Sequence, residues 1–174
     1  MILVDNNILS TFARVGQLEL LFRLFPKDSL GVPPAVHDEL IEAVRLCCHF
    51  LEQAAELVDQ GRLDIIPLTA NEIAGKPKLP ASFGAGDADC VIIAQQRKTP
   101  LLTNDRRVRN FCREQGLTVF DLPQLLRALW ENGLVSRNRV RRLADEMEAG
   151  ENMVIRNKDA IFELRPKRKR KGRP

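Results

Sequence analysis

Three aspartates of this chain stand beside strand–helix junctions, and one glutamate stands at the edge of an apolar helix face. Asp5 closes Leu3-Val4-Asp5, and Asp105 closes Leu101-Leu102-Thr103-Asn104-Asp105. Asp87, in Gly84-Ala85-Gly86-Asp87-Ala88-Asp89, opens the helix that leads into the second of those runs. An aspartate before a helix is also a favoured N-cap, so each alone has an ordinary explanation. Glu39 has less of one. At about 100° per residue, Val36, Leu40, Ala43 and Cys47 form one stripe of a helix; Glu39 lies at its edge, with Asp38 and Glu42 opposite. A carboxylate turned toward a core is costly unless it is paired or holds a metal. Carboxylates gathered at one place repel each other, and a hard divalent cation relieves the repulsion. Oxygen ligands suit Mg²⁺ or Mn²⁺, which keep waters and take remaining ligands from phosphate. The chemistry that follows is metal-assisted in-line displacement at a phosphate. His37 and His49 offer no competing zinc or general-base arrangement.

Bringing these groups together requires strand ends on one edge. Apolar runs at 2–4, 30–32, 63–67, 100–102 and 117–120 lack an alternating charged face, which predicts strands covered on both sides. Helical patterns at 34–60, 86–98 and 106–115 lie between them, so a parallel sheet with helices on both faces is expected. Pro34 starts a helix and Gly61 stops one. In such a sheet, ligands bind outside the carboxyl ends of the strands, where Asp5 and Asp105 fall. The segment 69–83, with Gly75, Pro77 and Pro80, reads as a loop and a candidate mobile flap. After Phe120 the pattern is helical at 122–131, 136–148 and 159–164, with Gly133 and Gly150 as separators. No internal repeat is present.

Composition narrows the function. Of 174 residues, 44% are apolar, enough for one solid core, and 5% are aromatic with no Tyr. That disfavours platforms that read RNA by stacking bases. The net charge of +4 hides an asymmetry. Residues 165–174 carry seven of the 27 Lys and Arg and no acid, leaving 20 basic against 23 acidic residues in the body. This tail has too little apolar content to order itself and is expected to be disordered; it either contacts RNA phosphates or serves as a solubilising end. Cys47, Cys48, Cys90 and Cys112 form no CxxC pair and read as buried thiols. With neither a signal peptide nor a long apolar span, the chain reads as a reduced cytoplasmic protein without membrane contact.

Asp5-Asn6-Asn7-Ile8-Leu9, Val36-His37-Asp38-Glu39-Leu40, Gly84-Ala85-Gly86-Asp87-Ala88-Asp89 and Thr103-Asn104-Asp105-Arg106 resemble, in order, the four acidic blocks of PIN domains. The nearest resemblance is to the VapC-like branch, the toxin halves of toxin–antitoxin pairs, over roughly residues 1–135. It implies a three-layer α/β/α fold with sheet order 3-2-1-4-5 and a PIN-like nuclease domain at 1–132. A helical extension of the same domain at 133–164 and the tail at 165–174 would follow. It also implies an endoribonuclease dependent on Mg²⁺ or Mn²⁺, with Asp5, Glu39, Asp87 and Asp105 as catalytic carboxylates and Asp5, Asp87 and Asp105 as metal ligands. Frequent dimers, and an antitoxin that blocks the site, are implied as well. The chain departs from the pattern at Asn6, where many relatives carry a small or hydroxyl residue. It departs again at Asp121, where Gly-Thr is common and a fifth carboxylate could approach the metal. Asp89, two residues from Asp87, faces another way on a helix and is expected to support the ligands or lie at the surface. Asp87 is preferred because Cys90, Val91 and Ala94 share its stripe.

Arg106, Arg107 and Arg109 follow Asp105 directly and could clamp RNA phosphates through their planar forks. Arg137, Arg139, Arg141 and Arg142, followed by Asp145, Glu146 and Glu148, read as a solvated helix face suited to a partner. Two other readings remain open at this stage. One is a catalytically idle PIN-like module that binds RNA or a protein. The other is an enzyme forming an aspartyl phosphate at Asp5, against which Asn7 stands, since such phosphatases want a second aspartate there.

Overall fold

The computed structural model describes residues 1–46, 48–151, 154–156 and 158–163. β1 (Ile2–Val4) runs into α1 (Asn6–Arg14) and α2 (Glu19–Leu24). β2 (Leu30–Val32) is followed by α3 (Pro34–Arg45) and α4 (Glu52–Asp59), and β3 (Leu63–Ile65) by α5 (Ala70–Gly75) and α6 (Ala85–Arg97). β4 (Leu101–Leu102), α7 (Arg106–Glu114) and β5 (Val119–Phe120) complete the sheet, and α8 (Leu122–Glu131), α9 (Arg137–Glu151) and α10 (Lys158–Phe162) end the described chain. The strands lie side by side in the order β3-β2-β1-β4-β5, all parallel. This is the α/β/α architecture and strand order expected.

β1 occupies the centre because it is apolar throughout: Ile2, Leu3 and Val4 are all buried. Leu3 pairs with Gly31 on one side and Leu101 on the other, so the carboxyl ends of β1 and β4 lie side by side. That adjacency places residue 5 next to residues 103–105. α6 packs under β1 and β4, and α3 packs against α6. Val140, Leu143, Ala144 and Met147 of α9 and Ile161 and Phe162 of α10 are buried in the same core as the sheet. Arg127 of α8 fastens this region by donating to the carbonyls of Ala160 at 2.9 Å and Glu163 at 2.6 Å. Among the described residues, no helix is long and apolar enough to cross a membrane.

Several expectations need correction. The pattern at 34–60 is two helices separated by a 3-10 turn at His49–Leu51. Cys48 N–H closes the end of α3 on the Ala43 carbonyl at 3.0 Å, and Leu51 is buried as the chain folds back. A continuous helix would have carried Leu51 away from the core.

The segment 69–83 is not an open loop. Thr69 caps α5, its hydroxyl accepting from Glu72 N–H at 3.3 Å while Glu72 Oε2 accepts from Thr69 N–H at 2.7 Å. Glu72 is buried and ion-paired to Arg97 at 2.7 Å, and the 3-10 turn at Lys76–Lys78 is tied to α6 through Lys76 and Asp89 at 2.5 Å. Two salt bridges thus bind the expected flap to α6.

Gly150 is the next-to-last residue of α9, which is described to Glu151. A Cβ there would stand 2.9 Å from Arg14 Cδ, so the glycine permits α9 to approach α1. The arginines of α9 are not simply solvated. Arg137 and Arg141 lie over the Phe162 ring at 5.7 and 4.8 Å, which locks α9 to α10. Cys90 and Cys112 are buried and Cys48 is half-buried; Cys47 and the tail at 165–174 lie outside the described residues.

Candidate metal centre

Asp5 leaves β1 at the centre of the sheet and is 5% exposed. Its side chain makes no cap bond to α1, so the ordinary explanation for an aspartate at this position does not apply. Instead Oδ2 accepts from Asn7 Nδ2 at 2.6 Å and from Thr103 Oγ1 at 2.7 Å. Asn7 Oδ1 in turn accepts from Asn104 N–H at 2.9 Å, and Thr103 Oγ1 from Asp105 N–H at 3.1 Å. These four bonds stitch the ends of β1 and β4 into one polar layer. Asn7 and Thr103 are the two supporting residues that sequence reasoning missed as such. The signal was present: each carries hydrogen-bonding groups within two residues of a strand-end aspartate.

The other carboxylates approach from separate elements. Asp87 stands in the first turn of α6, where Oδ2 accepts weakly from Gly84 N–H at 3.4 Å. Asp105 caps α7, with Oδ1 accepting from Arg107 and Val108 N–H at 2.7 and 3.0 Å, so this residue does serve the ordinary purpose as well. Glu39 is exposed, and the cost of burial therefore does not explain it. Its head nevertheless reaches across the sheet edge, where Oε1 accepts from Gly86 N–H at 3.3 Å and Oε2 from Asn6 Nδ2 at 3.4 Å.

Electrostatics couples the four. Burial, with Asp87 and Glu39 adding repulsion, pushes the Asp5 carboxyl from 3.8 up to about 6, although the Thr103 hydroxyl opposes the rise. Burial and then the Asp105 charge raise Asp87, while Gly84 N–H and Arg107 oppose it. The Cys90 thiol beneath them is pushed up by burial and by the charges of Asp5, Asp87, Asp89 and Glu39. Among the described residues, no three His, Cys, Asp or Glu side chains stand close enough to hold an ion unaided. The donors fit a hard cation that keeps part of its water, since Mg²⁺ commonly takes only one or two carboxylates. Asn6 Oδ1 is buried without a hydrogen-bond partner beside this cluster, an acceptor that bound water could satisfy.

Two expected supporting carboxylates are engaged elsewhere. Asp89 is buried, and its charge is met by Lys76. Asp121 caps α8 through Gln124 N–H at 3.1 Å and pairs with Arg113 at 3.2 Å and Arg109 at 3.5 Å. The arginines consume the charge that would otherwise have turned to a cation. Arg107 is held between Ser82 O at 3.2 Å and Asp105 at 3.8 Å, whereas Arg106 projects into solvent.

Gly86 explains how α3 and α6 meet here. A Cβ on it would lie 2.8 Å from Glu39 Oε1 and 3.0 Å from Val36 Cγ2. Gly86→Ala should therefore displace Glu39 and lower any activity of the site, with a stability loss on the order of 1 kcal/mol. Thermal melting together with catalytic assay checks this, and an unaffected activity would remove Glu39 from consideration.

No curated protein matches the chain. A sequence model of the PIN domain matches residues 1–161, spanning the sheet, all four carboxylates and the helices packed on them. Its members are generally nucleases. The five-stranded parallel sheet in the order 3-2-1-4-5 agrees with that match, and the chain belongs to the PIN-domain family, with its nuclease-type fold.

Proposed function

We propose that this protein is a metal-dependent endoribonuclease cutting RNA phosphodiester bonds at the cluster of Asp5, Glu39, Asp87 and Asp105. The observation carrying this reading is the convergence of carboxylates from separate elements near the carboxyl ends of β1 and β4, where burial first, and then the charges of Asp87 and Glu39, push Asp5 up to about 6.

Asp5, Asp87 and Asp105 would hold Mg²⁺ or Mn²⁺. When bound, such an ion lowers the pKa of water and offsets the charge of in-line displacement. Asn7 and Thr103 fix Oδ2 of Asp5, and the Asn6 backbone N–H also bonds to the carboxylate, so its orientation is set before any cation binds. Glu39, on a flexible stem beside Asn6, can orient a water or accept its proton. Arg106 and Arg109 are suited to phosphate oxygens, and the toxin of a toxin–antitoxin pair is the biological role that fits best. A cognate antitoxin protein, a homodimer and a cytoplasmic location belong to that same reading.

The test is cleavage of a single-stranded RNA by purified protein with Mn²⁺, comparing wild type with Glu39→Gln and Glu42→Gln. Glu42 is exposed and lies farther along α3, away from the cluster. Wild type and Glu42→Gln should cleave alike, and Glu39→Gln should be slower by on the order of tenfold or more. Mn²⁺ should also raise the melting temperature of Glu39→Gln less than that of Glu42→Gln. Identical behaviour of the two variants would show that Glu39 has no part in the site. Absence of Mn²⁺-dependent cleavage by the wild type would instead favour an idle RNA- or protein-binding module.

A further inference from the structure

We propose that the arginine-lined cleft beside the carboxylate cluster holds the sugar–phosphate backbone of the RNA on one side of the bond to be cut, an inference that rests on the ribonuclease reading above. The cleft, of about 630 Å³, lies between α7, α8 and the chain leading into α10, and Asn104 forms part of its wall. Asn104 joins it to the site: its N–H is bound by Asn7, which holds Asp5, and its Oδ1 accepts from Arg109 Nη1 at 3.4 Å.

Five arginines line this cleft, Arg106, Arg109, Arg113, Arg127 and Arg156, against a single acid among the described residues, Asp121. Asp121 is already matched by Arg109 and Arg113. Arg127 is anchored by Glu131 at 2.7 Å and by two carbonyls, which fixes the position of its charge. Arg106 and Arg156 are exposed and make no ion pair among the described residues. Arg109 Nε is buried and has no hydrogen-bond partner, so one N–H of its fork awaits an acceptor.

Planar guanidinium forks match phosphate oxygens, and several along one wall match a chain of phosphates better than one ion. Leu122, Ile155 and Ile161 supply aliphatic wall beside the polar Asn104 and Gln124, and among the described residues no aromatic ring lines the cleft for a base to stack on. Such a surface grips backbone without reading sequence. Discrimination among RNAs would then arise at the cluster itself or from RNA shape.

The experiment uses the full chain and a fluorescently labelled 20-nucleotide single-stranded RNA. Binding is measured across a salt series in EDTA, where nothing is cut, for wild type, Arg106→Gln/Arg156→Gln and Arg45→Gln. Arg45, exposed at the far end of α3, is the control. Loss of two phosphate contacts should weaken binding roughly twentyfold at 0.1 M salt and flatten the log–log salt slope by about 1.4. Both variants should melt as wild type does, since neither cleft residue holds the fold. With Mn²⁺, the double variant should show a raised KM and nearly unchanged kcat. Binding and slope equal to wild type would overturn the proposal, as would retained RNA binding with lost binding of an acidic poly-glutamate peptide, which would mark the cleft as a protein site. Failure of the two readings separates cleanly. Cleavage with unaltered binding leaves the ribonuclease standing without this cleft, and lost binding without wild-type cleavage leaves the cleft standing without the ribonuclease.

Discussion

Asp5→Asn should lower Mn²⁺-dependent RNA cleavage by at least on the order of 10²-fold and, without metal, make the protein more stable at neutral pH. The first effect follows if Asp5 is a ligand, because its loss weakens both metal binding and stabilisation of the transition state. The second comes from burial. Asparagine can keep the acceptor used by Asn7 and Thr103 while removing a charge that Asp87 and Glu39 oppose. In the folded state the Asp5 carboxyl titrates near 6 against an ordinary 3.8. The folded chain therefore binds this proton more tightly than the unfolded one. Stability from this group is intact below about pH 4 and is lost as pH rises through about 6. The gap between variant and wild type should accordingly widen from pH 3 to pH 7, by up to about 3 kcal/mol. For a chain of this size that is roughly 6–12 °C in melting temperature. Adding Mn²⁺ should narrow the gap, since a cation that binds only the folded wild type stabilises it by mass action. Full cleavage by the variant, with contaminating nuclease excluded, would end the assignment of Asp5.

Arg97→Ala should be among the most destabilising single changes on the α6 side of the sheet, for reasons unrelated to catalysis. Arg97 Nε and Nη2 donate to the two oxygens of buried Glu72 at 2.7 and 2.8 Å, and Nη2 also reaches Pro67 O at 2.8 Å. The guanidinium holds the Glu72 carboxyl down from 4.5 to about 2. Removing it leaves a buried carboxylate with only the Thr69 cap, which should cost about 3–5 kcal/mol at neutral pH. The pH dependence runs opposite to that of Asp5. A depressed carboxyl stabilises the folded state above about pH 4.5 and loses that contribution as pH falls toward 2. In the variant this acid-side slope should shrink. Glu72→Leu/Arg97→Met should recover much of the lost stability, because no charge is then stranded. A double variant as unstable as Arg97→Ala would show that packing of the arginine stem, not the ion pair, holds α5 to α6.

The sequence disclosed what depends on local pattern. Five apolar runs flanked by helical periodicity were enough for a parallel sheet, and Asp5 and Asp105 at strand ends were enough to suspect its carboxyl edge. The resemblance to PIN domains supplied the strand order, which no periodicity contains. What escaped depended on contacts distant in sequence. Residues 34–60 keep a helical apolar pattern through the break, so nothing local marks the turn that buries Leu51. Asp121 looked available until folding brought Arg113 and Arg109 beside it. Gly150 stands near the end of α9, and its close approach to Arg14 is a second reason for a missing side chain that no local pattern shows. The Thr69-x-x-Glu72 cap is a local signal for a helix start, and Gly75, Pro77 and Pro80 just after it confine the helix it opens to six residues.

The pairing of β1 with β4 also bears on the time at which the protein becomes chemically competent. Asp5 is seated by Thr103, which lies 98 residues later in the chain. A ribosome adding roughly 5–20 residues per second needs several seconds to cover that interval, and more to bring residue 103 out of its exit tunnel. Throughout that delay the nascent chain displays Asp5 and Glu39 but has no Thr103 to hold the first, and no Asp105 to complete the set. On the ribonuclease proposed above, the carboxylate set would therefore stay incomplete, and the messenger being read would be spared, until Thr103 and Asp105 had emerged.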